Sequence, residues 1–174
     1  MRILALIALI LSPALVAAQS FEVFATSGVV QVWDDEGNIG TGVPIGGGVG
    51  FKSPHGWGVE ALVETQKATR DFDSGVSFDS TVTAGRGRII KYFGDGGTQP
   101  YAGGGLGVTR VKSARSEPFG GSIFRSTKTA GTVSGFAGVR IAAGNTLFVR
   151  PEFEFSKAGE HIRMGGTVAV GASW

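Results

Sequence analysis

Ile162-Arg163-Met164-Gly165-Gly166-Thr167-Val168-Ala169-Val170-Gly171-Ala172-Ser173-Trp174 is the stretch on which the fold turns. Side chains of an extended chain point alternately to its two faces. Ile162, Met164, Gly166, Val168, Val170, Ala172 and Trp174 therefore share one face, and Arg163, Gly165, Thr167, Ala169, Gly171 and Ser173 the other. The first face is apolar and the second is small or polar. The preceding stretch repeats the division, with Leu147, Val149, Pro151, Phe153 and Phe155 against Thr146, Phe148, Arg150, Glu152, Glu154 and Ser156. Further upstream, Trp57, Val59, Ala61, Val63 and Thr65 oppose Gly58, Glu60, Leu62, Glu64 and Gln66, and Val43, Ile45, Val49 and Phe51 oppose small residues and Lys52.

Working outward from these, eight strand-length segments emerge: Phe21 to Trp33, Val43 to Lys52, Trp57 to Ala68, Thr81 to Phe93, Pro100 to Lys112, Thr129 to Ala142, Thr146 to Ser156, and Ile162 to Trp174. The first and fourth alternate less cleanly, as a bulge or a mixed face would make them. No stretch keeps the i, i+3, i+4 spacing of an amphipathic helix over three turns. Connections alternate in length. Ser53-Pro54-His55-Gly56, Gly94 to Gln99 and Ala143-Gly144-Asn145 are short and built of turn residues. Asp34 to Gly42, Thr69 to Ser80 and Ser113 to Lys128 are longer and polar, and Lys157 to His161 is intermediate. Short turns at one end and long loops at the other characterise an up-and-down barrel across an outer membrane.

Composition agrees. The chain has 174 residues, 30 of them glycine, and no cysteine, which excludes a disulfide scaffold, a thiolate metal site and a cysteine nucleophile. Its net charge of +2, without a basic run, gives no footprint for nucleic acid. Residues 1–18 have the form of a signal peptide: Arg2 supplies the positive start, Ile3 to Val16 an apolar stretch, and Val16-Ala17-Ala18 a small-residue cleavage site. The mature domain is expected to be residues 19–174. Strands of about ten residues cross a bilayer with the usual tilt. Eight of them enclose an interior just wide enough for side chains to fill. Phe21, Phe24, Trp33, Phe51, Trp57, Tyr92, Phe93 and Tyr101 lie near segment ends, as interfacial girdles do. The expected fold is an all-β, eight-stranded antiparallel up-and-down transmembrane β-barrel. A soluble lipocalin-like binder with its faces exchanged is the alternative that the same alternation allows.

Tyr101-Ala102-Gly103-Gly104-Gly105-Leu106-Gly107-Val108 after Pro100, together with Tyr92-Phe93, the Val-Glu pairs of the third segment and the C-terminal aromatic, resembles a pattern of small bacterial outer-membrane barrels, the OmpA-like or opacity-protein-like superfamily. The resemblance implies a monomeric eight-stranded barrel in a Gram-negative outer membrane, in contact with its lipid and lipopolysaccharide. It also implies that the last strand, ending at Trp174, is the recognition signal for the barrel-assembly machinery.

By the alternation, Lys52, Glu60, Glu64, Arg86, Arg88, Arg140, Arg150, Glu152, Glu154 and Arg163 face the lumen. Unpaired charges there would be costly, so the two signs are expected to pair in networks. With the third and fourth segments paired about a loop centred near Gly75, Glu64 falls opposite Arg86. Such a network fills and fixes a barrel; a narrow ion channel along the same charges is the sharper alternative. Gly46-Gly47-Gly48-Val49-Gly50 and Gly103-Gly104-Gly105-Leu106-Gly107 lack the helix and the Gly-Lys-Ser/Thr ending of a phosphate loop, so they are expected to make room inside the barrel.

Catalytic chemistry finds little support. A lipid A-modifying enzyme needs a histidine and a serine at the outer rim, and only His161 with Ser156 and Glu160 is near it, without a His-x-Ser pair. His55 falls in a short turn at the other end. No catalytic residue, metal ligand or cofactor site is assigned. Asp34, Asp35 and Glu36 make the first loop acidic, and Asp71, Asp73 and Asp79 the second. The third carries Arg115, Arg125 and Lys128 among Phe119, Ile123 and Phe124, a composition that suits lipopolysaccharide phosphates or a host surface ligand. The expected function is that of a non-catalytic outer-membrane surface protein serving envelope integrity, and adhesion through its loops. The expected mature N-terminus is Gln19; intact-mass measurement of protein from the outer-membrane fraction checks it, and retention of residues 1–18 would contradict the export reading.

Overall fold

The computed structural model describes residues 20–34, 37–71, 77–116 and 124–174; residues 1–18, expected as a signal peptide, lie outside them. Eight strands follow in chain order: β1 (Ser20–Asp34), β2 (Gly37–Lys52), β3 (Trp57–Asp71), β4 (Ser77–Tyr92), β5 (Thr98–Ser116), β6 (Phe124–Ala143), β7 (Leu147–Ala158) and β8 (His161–Ser173). Each pairs antiparallel with the next, and β1 pairs antiparallel with β8, which closes the barrel. The seam runs from Glu22 opposite Ser173 to Trp33 opposite Ile162. Phe21 N donates to the Trp174 carbonyl at 2.9 Å and Trp174 N to the Phe21 carbonyl at 3.0 Å, beyond the last residue of β8. Closure leaves no free sheet edge, which is what a wall facing hydrocarbon requires.

Both ends of the described chain meet at the short-turn end. There Gly56, Gly94 and Gly144 have φ of 73°, 82° and 84°, a left-handed conformation that a Cβ would strain. At the other end the strands run further than expected. Much of the polar sequence expected as loop is strand: Gly37–Gly42 in β2, Thr69–Asp71 in β3, Ser77–Ser80 in β4, Ser113–Ser116 in β5 and Phe124–Lys128 in β6. Only residues 159 and 160 separate β7 from β8. Polarity in these stretches marks departure from the bilayer while the hydrogen-bonded ladder continues, with Ser80 and Ser113 hydroxyls 3.2 Å apart across β4 and β5.

Alternation is regular along β1 and β4 as well. In β1 the register shifts only at Val32/Trp33. Both faces of β1 mix polar and apolar residues, which is why its sequence is ambiguous. Two other expectations are corrected. The β3–β4 register pairs Glu64 with Ala84 and Leu62 with Arg86, so the hairpin is centred one residue earlier, at position 74. A two-residue slip keeps every side chain on its face. Phe24, Tyr92 and Tyr101 are not girdle residues: they are inward and only 4%, 3% and 2% exposed. Phe21, Phe51, Trp57, Phe93 and Trp174 do face outward near the short-turn end, with Phe21 stacked on Trp174 (centroids 6.1 Å) and tilted against Phe51 (5.1 Å). Pro151 faces outward and has no N–H to donate, and the β6–β7 pairing skips from Gly138/Glu152 to Ile141/Val149 around it.

Outside, Val23, Val43, Ile45, Val63, Ile89, Leu106, Val133, Leu147, Phe153, Phe155, Val168 and Val170 form an apolar band. Inside, Phe24, Leu62, Phe148 and Ala169 form one apolar cluster, and Ile90, Tyr92, Tyr101 and Phe136 another. Glycine spacing separates the two environments. A Cβ on inward Gly103 would lie 2.5 Å from Phe136 Cζ, whereas on outward Gly104 its nearest neighbour is the Ser134 carbonyl oxygen at 3.5 Å. Gly103→Val is expected to cost about 1–3 kcal/mol through overpacking, and Gly104→Val no more than about 0.5 kcal/mol. Urea unfolding of the folded protein in lipid vesicles measures both.

Candidate functional site: the charged lumen

β3, β4, β7 and β8 supply most of the interior charge. All ten charged residues assigned to the lumen from the sequence lie on inward positions; Lys52 and Arg140 are half-buried and the other eight are buried. β1 adds Glu22, 2% exposed, which the mixed pattern of that strand concealed.

Most of the pairs reach across the lumen, and two, Arg86 with Glu64 and Arg88 with Glu60, run along the wall between β4 and β3. Arg150 on β7 grips Glu60 on β3, diametrically opposite in the ring, through both guanidinium NH2 groups, with Nη2 donating to Oε2 at 3.1 Å. Arg88 pairs with Glu152 and lies 3.7 Å from Glu60. Arg86 pairs with Glu154 and donates to Glu64 Oε1 at 2.5 Å, so the pair expected as direct strand neighbours forms diagonally. Arg163 pairs with Glu64 and donates from Nε to Gln66 Oε1 at 3.3 Å. Nearer the short-turn end, Arg140 donates to Glu22 at 3.0 Å and Lys52 to Gln99 Oε1 at 2.5 Å. Tyr101 donates its hydroxyl to Glu152 Oε2 at 2.8 Å. Sequence reasoning put Gln66 on the inner face without giving it a role, and missed Glu22, Gln99 and Tyr101, of which inward parity alone would have found Tyr101.

Aromatic faces complete the packing. Arg88 lies 3.7 Å from the Phe136 ring centroid, Arg150 4.5 Å from Phe24, and Arg140 4.6 Å from Phe148. Such stacking suits the flat, weakly hydrated guanidinium. The glycine runs are the other half of the design. Gly105 stands opposite Arg88, Gly107 opposite Arg86, Gly50 opposite Glu60 and Gly46 opposite Glu64. A Cβ on Gly50 would come within 2.8 Å of Glu60 Cγ, and one on Gly107 within 2.7 Å of Arg86 Cγ. Glycine thus leaves the volume that each long side chain fills.

A mouth of about 440 Å³ opens at the short-turn end, lined by Lys52, Gln99 and Arg140 with turn residues, and deeper inside the spaces are small. A cavity of about 10 Å³ lies among Glu64, Arg88, Arg150, Glu152 and Glu154, close to the minimum for one water. Another of about 20 Å³ is lined by Ser156, His161 and Arg163, with Val32, Val82 and Val111. Ser156 and His161 at the rim therefore share a space too small for a lipid chain. His55 is exposed in its turn, where its carbonyl accepts from Lys91 Nζ at 2.8 Å. Among the described residues no group of three or more acidic, histidine or cysteine side chains is placed to hold a metal. At the long-strand end, exposed Lys128 donates to Glu160 at 3.0 Å, and this hydrogen bond lowers the Glu160 carboxyl pKa below its ordinary value. Residues 35, 36, 73 and 119 and Ile123 lie outside the described residues, as do the side chains of Asp34, Asp71, Arg115 and Phe124.

Arg150→Ala strands a buried Glu60 and is expected to cost about 3–5 kcal/mol. Replacing both partners with apolar residues, Arg150→Met with Glu60→Leu, should recover most of that loss, because it is the unpaired charge that is expensive. Denaturant midpoints in lipid vesicles compare the two.

Comparison with known proteins places this geometry. Among solved structures, the fold is similar to Neisserial surface protein A (NspA; TM-score 0.67, 16% identity, covering 87% of this chain and 96% of that one). It is also similar to Ail, the attachment invasion locus protein of Yersinia pestis, solved in complex with the heparin analogue sucrose octasulfate (TM-score 0.62, 14%, 89% and 97%). The N-terminal β-barrel domain of Pseudomonas aeruginosa OprF is a third (TM-score 0.56, 16%, 90% and 98%). At these identities the likeness is one of fold. No curated protein matches the sequence. The model of the outer membrane protein beta-barrel domain matches residues 3–174, nearly the whole chain, and the closed barrel with its apolar outer band and charged interior is its physical counterpart: this chain belongs to the outer membrane protein β-barrel family.

Proposed function

We propose that this chain is a non-catalytic surface protein of a Gram-negative outer membrane, monomeric, inserted after removal of residues 1–18, and serving envelope integrity. The observation that carries the proposal is the filled lumen. Paired charges cross its middle, and inward of a mouth of about 440 Å³ at the short-turn end the described cavities hold only about 10 and 20 Å³. Neither a hydrated ion path nor a substrate fits such spaces, so the work falls to the outer surfaces of the wall. The long-strand end, where β5 and β6 extend to Ser116 and from Phe124, is the end placed outside the cell. Adhesion to a host or surface ligand through the connections at that end is the second part of the proposal, supported by exposed Arg125 and Lys128. Assembly by the barrel-assembly machinery rests on β8 with the outward Trp174, 66% exposed beside the closing seam.

Folded protein in planar bilayers is expected to give no steady conductance, and a strain lacking the chain to admit a hydrophobic fluorescent probe several-fold faster until complemented. Stable ohmic currents would establish a channel instead. Unchanged probe entry in the deleted strain would remove the envelope role.

A further inference from the structure

The apolar band ends at one height on adjacent strands. Outward positions of β3 run Val59, Ala61, Val63 and then Thr65 and Lys67. Those of β4 run Ile89, Gly87, Gly85 and then Thr83 and Thr81; those of β5 run Leu106, Val108 and then Arg110 and Lys112. Past the band, Lys67 is paired with Thr81, and Thr81 with Lys112. In the adjacent row Thr65, Thr83, Arg110 and Thr129 stand side by side, with the Thr65 and Thr83 hydroxyls 3.3 Å apart. Strand spacing sets Lys67 and Lys112 roughly 10 Å apart at Cα, with Arg110 roughly 7 Å along the strand from Lys112.

Three features make this more than a polar rim. Lys67, Arg110 and Lys112 are exposed, and none makes an ion pair or side-chain hydrogen bond with a described residue. They point sideways from the wall, into the layer where lipid headgroups lie, while the described acid beside them, Asp79, stands one row farther from the band. They are also clustered, whereas the outward cation of β7, Lys157 just past Phe155, stands between Val133 and Ile162. On β8, β1 and β2 the outward positions at the end of the band are Ile162, Met164, Gln31, Trp33 and Thr41, with no cation.

We infer that Lys67, Arg110 and Lys112 form a wall-mounted binding site for the phosphorylated saccharide headgroup of the outer-leaflet glycolipid. Phosphate is the anion that layer supplies, and arginine and lysine bind it through charge-assisted hydrogen bonds. Thr65, Thr81, Thr83 and Thr129 add hydroxyls that donate to or accept from sugar hydroxyls. Three cations within one headgroup's breadth favour a ligand with more than one phosphate over a phospholipid with one. The site rests on the orientation proposed above, with the long-strand end outside, but not on the sealed lumen. A channel result would therefore leave it standing, and its own failure would leave the envelope role standing.

The test uses the full mature chain, folded in detergent and verified by its gel shift on boiling. Diphosphoryl lipid A, monophosphoryl lipid A and phosphatidylcholine are titrated separately, and retained adducts are counted by native mass spectrometry. The wild-type chain should retain diphosphoryl lipid A best. The triple variant Lys67→Gln, Arg110→Gln, Lys112→Gln should lose at least about tenfold in affinity, and Lys91→Gln, at the opposite end of the wall, should lose none. These side chains are exposed, so folding should persist; if the triple variant does not fold, the three single variants are read in the same way. Equal retention by wild type and variants overturns the proposal. So does equal retention of phosphatidylcholine, or loss of heparin binding by the variants with lipid A binding unchanged, which would give the cations to a sulfated glycan above the membrane.

Discussion

Burying charge inside a tube this narrow is the constraint that organises the molecule. A guanidinium removed from water has to find carboxylates and a face to lie on, and the ring offers most of them across its width. Arg150 finds Glu60 on the opposite strand, and Arg86, Arg88 and Arg163 find partners on strands three or more away. Each pair is therefore a strut that holds only if the barrel is closed, with β1 on β8. The Nε atoms of Arg86, Arg88 and Arg150 are buried without a hydrogen-bond partner among the described residues. The network is thus nearly but not wholly satisfied, and its contribution lies in setting which strands face each other more than in net stability.

That constraint also accounts for the glycines. Eight strands leave room for one layer of long side chains, so the strands beside Arg86, Arg88, Glu60 and Glu64 must give up theirs. Glycine weakens a strand and lacks a side chain to pack. Here the long side chain of the neighbouring strand occupies the volume instead. On the outer wall the same residue type has no such neighbour: Gly85, Gly131 and Gly135 have nothing within 4 Å of an added Cβ. Lipid covers those positions in the reading proposed above, so the inward and outward glycines of β4, β5 and β6 answer to different environments.

With the interior filled, function moves to the wall and rim. The wall is not uniform around its circumference. Three cations mark the end of the apolar band on β3 and β5, where Lys67, Arg110 and Lys112 stand, and a single one, Lys157, marks it on β7, while neutral residues mark it on β8, β1 and β2. In the reading proposed above, the clustered cations of β3 and β5 make that side the preferred face for charged lipid.

The sequence by itself determined the strand count, the turns at the short end and the side of the wall on which nearly every charge lies. These follow from a period of two in side-chain direction, a local property that survives errors in length and register. It is why Arg163 and Glu154 are placed correctly even though the expected β3–β4 register is two residues out. Where both faces of a strand are mixed, as in β1, the local signal fails, and Glu22 goes unseen. Strand ends were misjudged because polarity reports the edge of the bilayer and not the end of the ladder. Pairing is different in kind. Arg150 and Glu60 are 90 residues apart in sequence, and only closure of the ring, its shear and the volume left by opposing glycines decide that they meet.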